Sequence, residues 1–429
     1  MSAPRVAVVA LGKIGLPIAV ALASRGFRVY GSDVSPDVVS SVNRGHIPNY
    51  READLSNRLR HVVKSGALSA TTSVREAVAR SDVVVVVVPL IVDREGQPEL
   101  DAIEQVTDDI GEGLTPNTLV SYETTLPVGT TRRMADRLSR VSGLELGSEL
   151  FVVHSPERVL TGRVFADLSR YPKIVGGVDD QSTQVGVEFY ESWLTFDPRP
   201  DLDRPNGVWP LDSCEAAEFA KLAETTYRDL NIAFANELAI ASRAHSIDIG
   251  EVIEACNSQP YSRIHRPGIS VGGHCIPVYP QLLMHSVGHL RLPAIAREIN
   301  SEMPLWVVRQ LADIVGGLDG LVVGVLGVAY RGGVKEHAFS GVFALVQGLE
   351  SEGASTRVSD PLYSIDEIEA LGLTPWLPGQ DVDAVVVHTD HKEYAELCAA
   401  DLGNPPVVYD GRNVLDPDRW TGVHRLGGL

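Results

Sequence analysis

The chain opens with a strand, a glycine turn and a helix, and this start constrains the fold more than any other feature. Arg5–Ala10 is a short apolar run typical of a buried parallel strand, and a helical pattern follows from about Ile14 to Ser24. The turn between them reads A-L-G-K-I-G, from Ala10 to Gly15, and the next strand, Arg28–Gly31, leads to Asp33. This alternation predicts a doubly wound α/β sheet.

Later segments extend the same pattern. Six consecutive valines, Val83–Val88, lie within Ser81–Pro89 and predict a central parallel strand. A further strand, Leu119–Tyr122, leads into the sequence E-T-T-L-P-V-G-T-T. Side chains at this strand end should face a ligand, because ligands bind at the carboxyl edge of such sheets.

The same order of strands and strand ends returns near the C-terminus. The strand Thr356–Ser359 ends at Asp360, much as the early strand ends at Asp33. The remaining C-terminal strands are Leu321–Leu326, Ala384–Val387 after Asp383, and Val407–Asp410. We therefore expect two Rossmann-like doubly wound parallel-sheet domains of related topology.

A long helix should join these domains. Ser213–Ala244 contains no Gly or Pro and is rich in Ala, Glu and Leu. Its apolar stripe needs a partner, and packing against the same helix of a second subunit would give a two-fold homodimer. The proline-rich segment Asp197–Pro210 is expected to be the linker that enters it.

Charge and cysteine content exclude several classes of protein. The 37 basic and 56 acidic residues give a net charge of −19, which opposes binding to nucleic acid or to an anionic membrane. An apolar run of membrane-spanning length and a signal peptide are both missing, so we expect a cytoplasmic protein. The four cysteines form no Cys-x-x-Cys pair, which predicts neither a disulfide framework nor a metal site. They are Cys214, Cys256, Cys275 and Cys398.

The first turn is a partial dinucleotide-binding fingerprint. Ala10 replaces its first glycine, which costs little if that residue keeps a negative φ. Gly12 permits the close approach of a pyrophosphate and Gly15 permits tight packing of helix on strand. Asp33 should accept hydrogen bonds from the ribose hydroxyls and favour NAD over NADP. The alternative is a nucleotide-free α/β turn. The expected cofactor contacts are Gly12, Lys13, Ile14, Asp33, Pro89 and Thr125.

Cys275 lies in P-G-I-S-V-G-G-H-C-I-P-V-Y-P, from Pro267 to Pro280. Beside a dinucleotide fingerprint it suggests a dehydrogenase that captures an aldehyde as a thiohemiacetal and oxidises it to a thioester. The alternative is a buried structural cysteine.

Three other sets of polar residues each allow a functional and a structural interpretation. The threonines after Glu123 could hold a water or a sugar oxygen, or they could cap a helix. In the loop His154–Gly162, Glu157 is an acid/base candidate and Arg158 an anion contact, or both belong to an ordinary charged loop. On the long helix, one polar face could line a cleft or be solvated. That face comprises Lys221, Thr225, Arg228 and Asn231.

Together these motifs resemble the UDP-glucose/GDP-mannose dehydrogenase family of nucleotide-sugar 6-dehydrogenases. The carriers of the resemblance are G-K-I-G-L-P, E-T-T-L-P-V-G-T-T, S-P-E-R-V-L, the K-L-A-E helix, V-G-G-H-C-I-P and D-G-R-N. The S-P-E-R-V-L form and the helix ending in N-I-A-F-A-N-E-L are more similar to the branch that acts on UDP-N-acetylhexosamines. The resemblance implies oxidation of the sugar C6 alcohol to a carboxylate with two NAD, for polysaccharide biosynthesis.

The resemblance also implies domains and residue roles. It implies an NAD-binding domain at 1–200, a helical dimerisation region at 201–305 and a UDP-sugar-binding domain at 306–429. Cys275 would be the nucleophile, Glu157 the acid/base group of thioester hydrolysis and Lys221 the oxyanion stabiliser, with Thr125 positioning water or substrate. Thr225 and Tyr279 complete the catalytic set. The implied substrate contacts are Glu157, Arg158, Val159, Lys221, Arg228, Asn231, Arg263, Gly272, Tyr330 and Arg331.

The chain departs from the family pattern at several positions. Tyr279 stands where the family usually has aspartate, and Thr225 stands where it usually has asparagine. Arg331 replaces a lysine and Ala338 a common arginine, while Arg263 lies near the position of an arginine that some members lend across the dimer. These changes leave two alternatives to four-electron oxidation: a one-step oxidoreductase that releases the aldehyde, or a catalytically weak nucleotide-sugar binding protein.

Overall fold

The computed structural model describes residues 4–48, 52, 54–93, 96–377, 380–416, 418–420 and 422–428. It divides into two compact units, the first ending at Ala223 and the second beginning at Glu224. The first unit contains a mainly parallel sheet with helices on both faces, and the second contains a parallel sheet with α-helices on one face, so the predicted α/β class is confirmed. The predicted division at 200 and 305 stays a prediction.

The first unit is built on strands that alternate with helices. Its strands are β1 (Arg5–Val9), β2 (Arg28–Ser32), β3 (Leu68–Thr71), β4 (Val83–Val86), β5 (Ile91–Val92), β6 (Pro98–Glu99), β7 (Thr118–Tyr122), β8 (Leu150–His154), β9 (Lys173–Gly177) and β10 (Val208–Leu211). Its helices are α1 (Gly15–Ser24), α2 (Pro36–Asn43), α3 (Leu55–Lys64), α4 (Val74–Val78), α5 (Asp101–Gly113), α6 (Thr130–Ser142), α7 (Val164–Arg170) and α8 (Asp180–Glu191).

Eight of these strands form one sheet in the order β10-β9-β8-β7-β4-β1-β2-β3, and β5 and β6 form a separate antiparallel pair. The order reverses between β1 and β4, which is the switch point where such sheets bind ligands. The sheet is parallel except between β8 and β9. The prediction that Asp197–Pro210 is only a linker is wrong at its end, because Val208–Leu211 pairs with β9 as an edge strand.

The valine run explains why this sheet is buried on both faces. Val83 and Val85 contact the core on one side, and Val84 and Val86 contact the core on the other. Successive side chains of a strand point to opposite faces, so an uninterrupted apolar run fits a central strand covered by helices on both sides. The β-branched side chains also suit the pleated backbone.

The second unit repeats this plan on a smaller scale. Its strands are β11 (Val322–Leu326), β12 (Ser355–Ser359), β13 (Ala384–Val387), β14 (Val407–Asp410) and β15 (His424–Arg425), all parallel in the order β12-β11-β13-β14-β15. Its helices are α10 (Ile249–Asn257), α11 (Tyr279–Val287), α12 (Arg291–Val315), α13 (Val342–Ser351) and α14 (Ile365–Ala370), with 3₁₀ turns at Lys392–Glu396 and Ala399–Leu402.

The long helix predicted from the sequence is present as α9 (Cys214–Arg243), which begins in the first unit and continues into the second. Three of its aromatic side chains are about half exposed: Phe219 at 46%, Tyr227 at 59% and Phe234 at 50%. Their spacings of eight and seven residues place them on one face of a helix. Among the described residues, no helix combines the length and apolar character needed to cross a bilayer.

Candidate active site

The turn from β1 to α1 has a backbone that the sequence did not predict. Ala10 has a φ of +74°, so the condition under which alanine would cost little there, a negative φ, is not met. Its amide donates to the Ser32 carbonyl at 2.8 Å, which holds the residue in the left-handed region. A Cβ at Gly15 would lie 1.9 Å from the Ala10 carbonyl oxygen, so that glycine is required for the close packing of α1 on β1.

Asp33 and Gly12 give this turn the features of a dinucleotide site. The Asp33 carboxylate accepts from the Leu11 and Ser35 amides at 2.9 Å each, and its side chain remains partly exposed. Apart from its own residue and its two chain neighbours, no described atom lies within 4 Å of a Cβ placed on Gly12. The turn therefore offers open space for a pyrophosphate and an oriented carboxylate for a ribose, and these residues fit NAD. Of the other expected contacts, Lys13 and Pro89 are exposed and Ile14 is half-buried.

The turn after β7 is fixed by a carboxylate from α9. Glu218 is fully buried and accepts from the amides of Gly129 and Thr131, at 2.6 and 2.7 Å, at the start of α6. The group that caps α6 is therefore Glu218, and not the threonines that the sequence suggested as helix caps. Burial raises the pKa of Glu218 to about 7. Thr125, in the same turn, is buried.

Glu157 belongs to a buried polar cluster whose other members sequence reasoning missed. The Lys173 ammonium lies 3.0 Å from Glu157 Oε2 and 3.4 Å from Glu123 Oε2. The Tyr190 hydroxyl donates to Glu123 Oε1 at 2.5 Å and lies 2.7 Å from Ser121 Oγ. The side chain of Glu157 is 10% exposed and that of Lys173 6%. The interpretation of Glu157 as part of an ordinary charged loop does not fit this burial.

The two carboxylates of the cluster differ in proton affinity. Burial raises the pKa of Glu123 to about 7, with a further increase from the charge of Glu157, although Lys173 opposes both. Burial alone would also raise the pKa of Glu157, but the Lys173 ammonium, the Arg158 amide and the charge of Lys221 together lower it. Near neutral pH, Glu157 is therefore an anion suited to accept a proton rather than to donate one.

The remaining first-unit candidates surround this cluster. The Arg158 guanidinium donates to the Pro172 carbonyl at 3.2 Å, and Val159 is half-buried in the same loop. Lys221 is buried on α9, three residues after Glu218, and its charge acts on Glu157. Burial of Lys221 excludes a solvated face at this position. On the part of the helix that belongs to the second unit, Thr225 is also buried, whereas Arg228 is exposed.

In the second unit, Cys275 is exposed, so the alternative of a buried structural cysteine is wrong. Its carbonyl accepts from the Tyr279 amide at 2.9 Å at the start of α11, where Tyr279 is half-buried. Cβ atoms on Gly272 and Gly273 would lie 2.6 and 2.9 Å from Tyr330. The glycine pair is therefore required for this loop to pack on the loop that carries Tyr330.

A chain of buried hydrogen bonds fixes the start of the cysteine loop. Arg297 pairs with Asp229, and Asn300 donates to Asp229 Oδ1 at 2.8 Å. Asn236 donates to Asn300 at 2.8 Å and accepts from the Gly268 amide at 2.9 Å. Since each group in this chain is hydrogen-bonded, the network specifies one position for the loop relative to the α9 segment of this unit.

Of the other substrate candidates in this unit, Asn231 already has protein partners. Its amide donates to the Arg263 carbonyl at 2.6 Å and its oxygen accepts from the His265 amide at 2.8 Å, so Asn231 orients that loop. The side chain of Arg263 is exposed, and Arg331 donates to the Tyr330 hydroxyl at 3.2 Å.

Arg412, in the D-G-R-N motif, was not among the candidate residues. Its guanidinium donates to the carbonyls of His388 at 2.8 Å and Tyr330 at 3.3 Å. Burial lowers the pKa of Arg412, although two nearby aspartates oppose this effect. The D-G-R-N motif could have suggested this residue, since it follows a strand end.

Comparison with known proteins places these features in one family. Models of the UDP-glucose/GDP-mannose dehydrogenase family match along the chain: the NAD binding domain at residues 4–194, the central domain at 215–302 and the UDP binding domain at 324–417. The chain belongs to this family. It is therefore an NAD-dependent oxidoreductase with a UDP-binding domain, and the predicted family, enzyme class and cofactor are confirmed.

Individual relatives cover nearly the whole chain. It is 33% identical to the UDP-N-acetyl-D-mannosamine dehydrogenase of Pyrococcus horikoshii, over 96% of each chain. It is 31% identical to the NDP-N-acetyl-D-galactosaminuronic acid dehydrogenase of Ralstonia solanacearum, over 96% of this chain and 97% of the relative. A solved structure of UDP-D-ManNAc dehydrogenase from P. horikoshii matches with a TM-score of 0.87 and 31% identity, over 99% of each chain.

Proposed function

We propose that this family member oxidises the C6 alcohol of a UDP-N-acetylhexosamine to the carboxylate. The observation that carries the proposal is an exposed Cys275 in a chain whose first unit has an open dinucleotide turn. The named substrates of the relatives, N-acetylmannosamine and N-acetylgalactosaminuronic acid derivatives, support an N-acetylated sugar.

In the proposed reaction, the C6 hydroxyl loses a proton and a hydride and becomes an aldehyde. The Cys275 thiolate adds to the aldehyde carbon and forms a thiohemiacetal, which loses a second hydride to become a thioester. Water then attacks the thioester carbon, the C–S bond breaks, and the products are the carboxylate and free Cys275. Bound NAD supplies the hydride acceptor, and two NADH are formed for each sugar.

Residues of the first unit would assist charge and proton movements. Lys221 would stabilise the oxyanions that form at C6, because a buried ammonium is effective where water is excluded. Glu157, held as an anion, would accept a proton from the attacking water. Thr125 would position that water or the sugar.

Thr225 and Tyr279 would adjust the same proton movements. Tyr279 stands where the family usually has an aspartate, so this position lacks a carboxylate. We expect Tyr279→Asp to alter the pH profile of turnover and the fraction of aldehyde trapped by a hydrazine more than it alters sugar binding. Superimposable profiles and equal trapping would contradict this role.

We further propose that the protein works as a cytoplasmic homodimer that pairs through α9. The half-exposed Phe219, Tyr227 and Phe234 support this, because a stripe of aromatic side chains on a central helix suits a two-fold interface. Light scattering at micromolar concentration should give twice the mass of one chain, and a monomer would contradict it.

The test of the function is the number of NADH formed per sugar across a panel of UDP-sugars. Two NADH from a UDP-N-acetylhexosamine would support the proposal. One NADH would favour the oxidoreductase that releases an aldehyde, and none would favour the binding protein. Cys275→Ala should bind NAD but form no acid, and acid formation by this variant would exclude the covalent route.

A further inference from the structure

The reversal of strand direction between β8 and β9 brings Lys173 to the end of the sheet where ligands bind. In a fully parallel sheet, the first residue of a strand lies at the opposite edge from the strand C-termini. Because β9 is antiparallel to β8, with Val153 opposite Gly177, Lys173 lies beside the residues that follow His154. The Ser155 hydroxyl donates to the Ile174 carbonyl at 2.8 Å and fixes this arrangement.

At this position the Lys173 ammonium has two carboxylates within reach and an aromatic ring beside it. Glu157 Oε2 lies at 3.0 Å and Glu123 Oε2 at 3.4 Å, and the centre of the Tyr190 ring lies at 4.8 Å. The Glu123 Oε2 atom is buried and forms no hydrogen bond of good geometry within the described residues. Lys173 therefore has its stronger contact with Glu157, and Glu123 is the less satisfied of the two carboxylates.

A purely structural ion pair explains this cluster poorly. Buried ion pairs stabilise proteins weakly, since the desolvation of both charges offsets their attraction. Here a second carboxylate shares the same ammonium, which adds repulsion between Glu123 and Glu157 unless one of them holds a proton. An arrangement that is costly for stability and lies at the ligand-binding edge points to a role in the reaction.

We propose that Lys173 is a positioning residue that keeps Glu157 ionised and oriented as the base for thioester hydrolysis, while Glu123 and Tyr190 hold the spare proton behind it. This inference rests on the proposed function of Glu157. It assigns no contact with the substrate to Lys173, whose ammonium is occupied by the two carboxylates.

The charges around the cluster define the direction of its pH response. The groups that act on it are Tyr190 of α8, Lys221 of α9 and the Arg158 amide, while His154 lies at the end of β8 and Asp167 lines the same small cavity as Glu157 and Lys173. Burial lowers the pKa of His154 to about 3, so His154 is neutral at pH 7. Glu123, whose pKa burial raises to about 7, is the group that titrates in the neutral range.

The test compares Lys173→Met with its charged control, Lys173→Arg, in the full-length protein. In Lys173→Met, Glu157 loses the ammonium that lowers its pKa, so the acid limb of kcat should move to higher pH by about one unit or more. At a pH on this acid limb, turnover should fall roughly 10-fold for each unit of the shift, because a protonated Glu157 cannot accept the proton of water. KM for the UDP-sugar should change less than about threefold, and Lys173→Arg should recover most of the turnover.

A pre-steady-state burst experiment locates the affected step. With excess NAD and UDP-sugar, Lys173→Met should form a burst of two NADH per chain and then accumulate the sugar acyl adduct on Cys275, visible by intact mass. An unchanged pH profile, or equal loss of the burst and of turnover without the adduct, would overturn the inference. Failure of the wild-type protein to form NADH with any sugar would instead overturn the proposed function.

Glu123→Gln keeps the inference testable if Lys173→Met does not fold. Glutamine preserves the shape of Glu123 and leaves Lys173 paired with Glu157 alone. The wild-type pH profile should contain an inflection near pH 7 that this variant lacks, with its acid limb at or below that of the wild type. A Glu123→Gln profile identical to that of the wild type would contradict the proposed proton site.

Discussion

Two turns occupy the same place in the two units: β1 leads into the turn at Ala10, and β11 leads into the turn at Gly327. The Ala10 amide donates to the Ser32 carbonyl at 2.8 Å, and the Gly327 amide donates to the Ser359 carbonyl at 2.7 Å. In each unit, an aspartate at the end of the neighbouring strand accepts from the next amide of the turn. These aspartates are Asp33 in the first unit and Asp360 in the second.

The two turns differ in what fills them. Asp33 is partly exposed and, apart from its two chain neighbours, no described atom lies within 4 Å of a Cβ on Gly12. Asp360 is 4% exposed and also contacts His391 Nε2 at 3.2 Å, while a Cβ on Gly327 would lie 2.1 Å from Thr389 Oγ1. The same backbone pattern therefore forms an open dinucleotide turn in one unit and a closed, structural turn in the other. We expect one NAD per chain, in the first unit.

Among the variants that test this difference between the turns, Asp360→Ala should lose the most stability. It would leave the buried amides of Val328 and Ala329 and the half-buried amide of Leu362 without their acceptor. Each unsatisfied donor costs about 1–3 kcal/mol, so the free energy of unfolding should fall on the order of 4 kcal/mol. Urea unfolding measures this, with Asp33→Ala as the matched control. Equal losses in the two variants would contradict the difference between the turns.

The next largest loss of stability is expected for Gly327→Ala. Its φ of +111° and its contact with Thr389 should together cost roughly 3 kcal/mol of stability. Gly12→Ala, two residues beyond the position that corresponds to Gly327, is the comparison variant in the first turn: apart from its chain neighbours its Cβ meets no described atom, so stability should change by less than about 1 kcal/mol while NAD binding weakens. Thermal unfolding with and without NAD separates the two effects. A Gly327→Ala protein as stable as the wild type would contradict the conclusion that the second turn is filled by side chains.

The pH dependence of unfolding should also distinguish the units. Glu218 in the first unit has a pKa that burial raises to about 7, so its contribution to stability is complete below its unfolded pKa of about 4.3 and is lost as pH rises towards 7. In the second unit, the contribution of Asp360 to stability changes with pH in the opposite direction. Burial raises its pKa, but hydrogen bonds from His391 and the backbone outweigh that effect and lower it. Its contribution is complete above about pH 4 and is lost on further acidification.

Glu218→Gln tests the first of these signs. The variant should lack the share of Glu218 in the decline in stability between about pH 4.5 and 7, which amounts to roughly 3 kcal/mol for a shift of this size. The share of Glu123, whose pKa burial also raises to about 7, should remain. Denaturant unfolding at a series of pH values measures the difference, and a decline as large in the variant as in the wild type would assign the effect to another group.

A smaller effect on binding free energy is expected for Asp33→Ala. Loss of a charged hydrogen bond to the ribose should weaken NAD binding by about 1.5–3 kcal/mol, or roughly 10-fold to 100-fold. KM for the sugar should change much less, because Asp33 would contact only the cofactor. Steady-state kinetics with each substrate varied in turn provides the measurement, and an unchanged KM for NAD would place the cofactor elsewhere.

The smallest effect should come from Ala10→Gly. A non-glycine residue at φ +74° is strained by about 1–2 kcal/mol, and glycine removes that strain while adding entropy to the unfolded chain. A net gain in stability of about 0.5–1 kcal/mol should follow. The first turn would then have a glycine at the position that Gly327 occupies in the second turn. A loss of stability in thermal unfolding would mean that the Ala10 methyl group packs favourably.

The sequence predicted the strands better than it predicted their surroundings. Ala384–Val387 and Val407–Asp410 were located to the residue, because apolar runs bounded by polar residues depend on local pattern alone. The likeness of Asp33 and Asp360 was also predicted. Their different burial was not, since it depends on Thr389 and His391, which are distant in the chain.

The residues of the candidate site also differ in whether the sequence could predict them. Cys275 and Glu157 stand in recognisable motifs. Lys173 does not, because it reaches Glu157 only through the antiparallel pairing of β8 and β9. The positive φ of Ala10 also escaped prediction, since it results from the packing of α1 on β1 rather than from the preference of alanine.

Calorimetric titration of the protein with NAD tests whether the cofactor binds at the open turn of the first unit. We predict one NAD per chain, binding at least 10-fold more weakly to Asp33→Ala and unchanged by Thr389→Ser, which alters only the second turn. Two NAD per chain, or wild-type affinity in Asp33→Ala, would contradict the assignment of the cofactor to the open turn of the first unit.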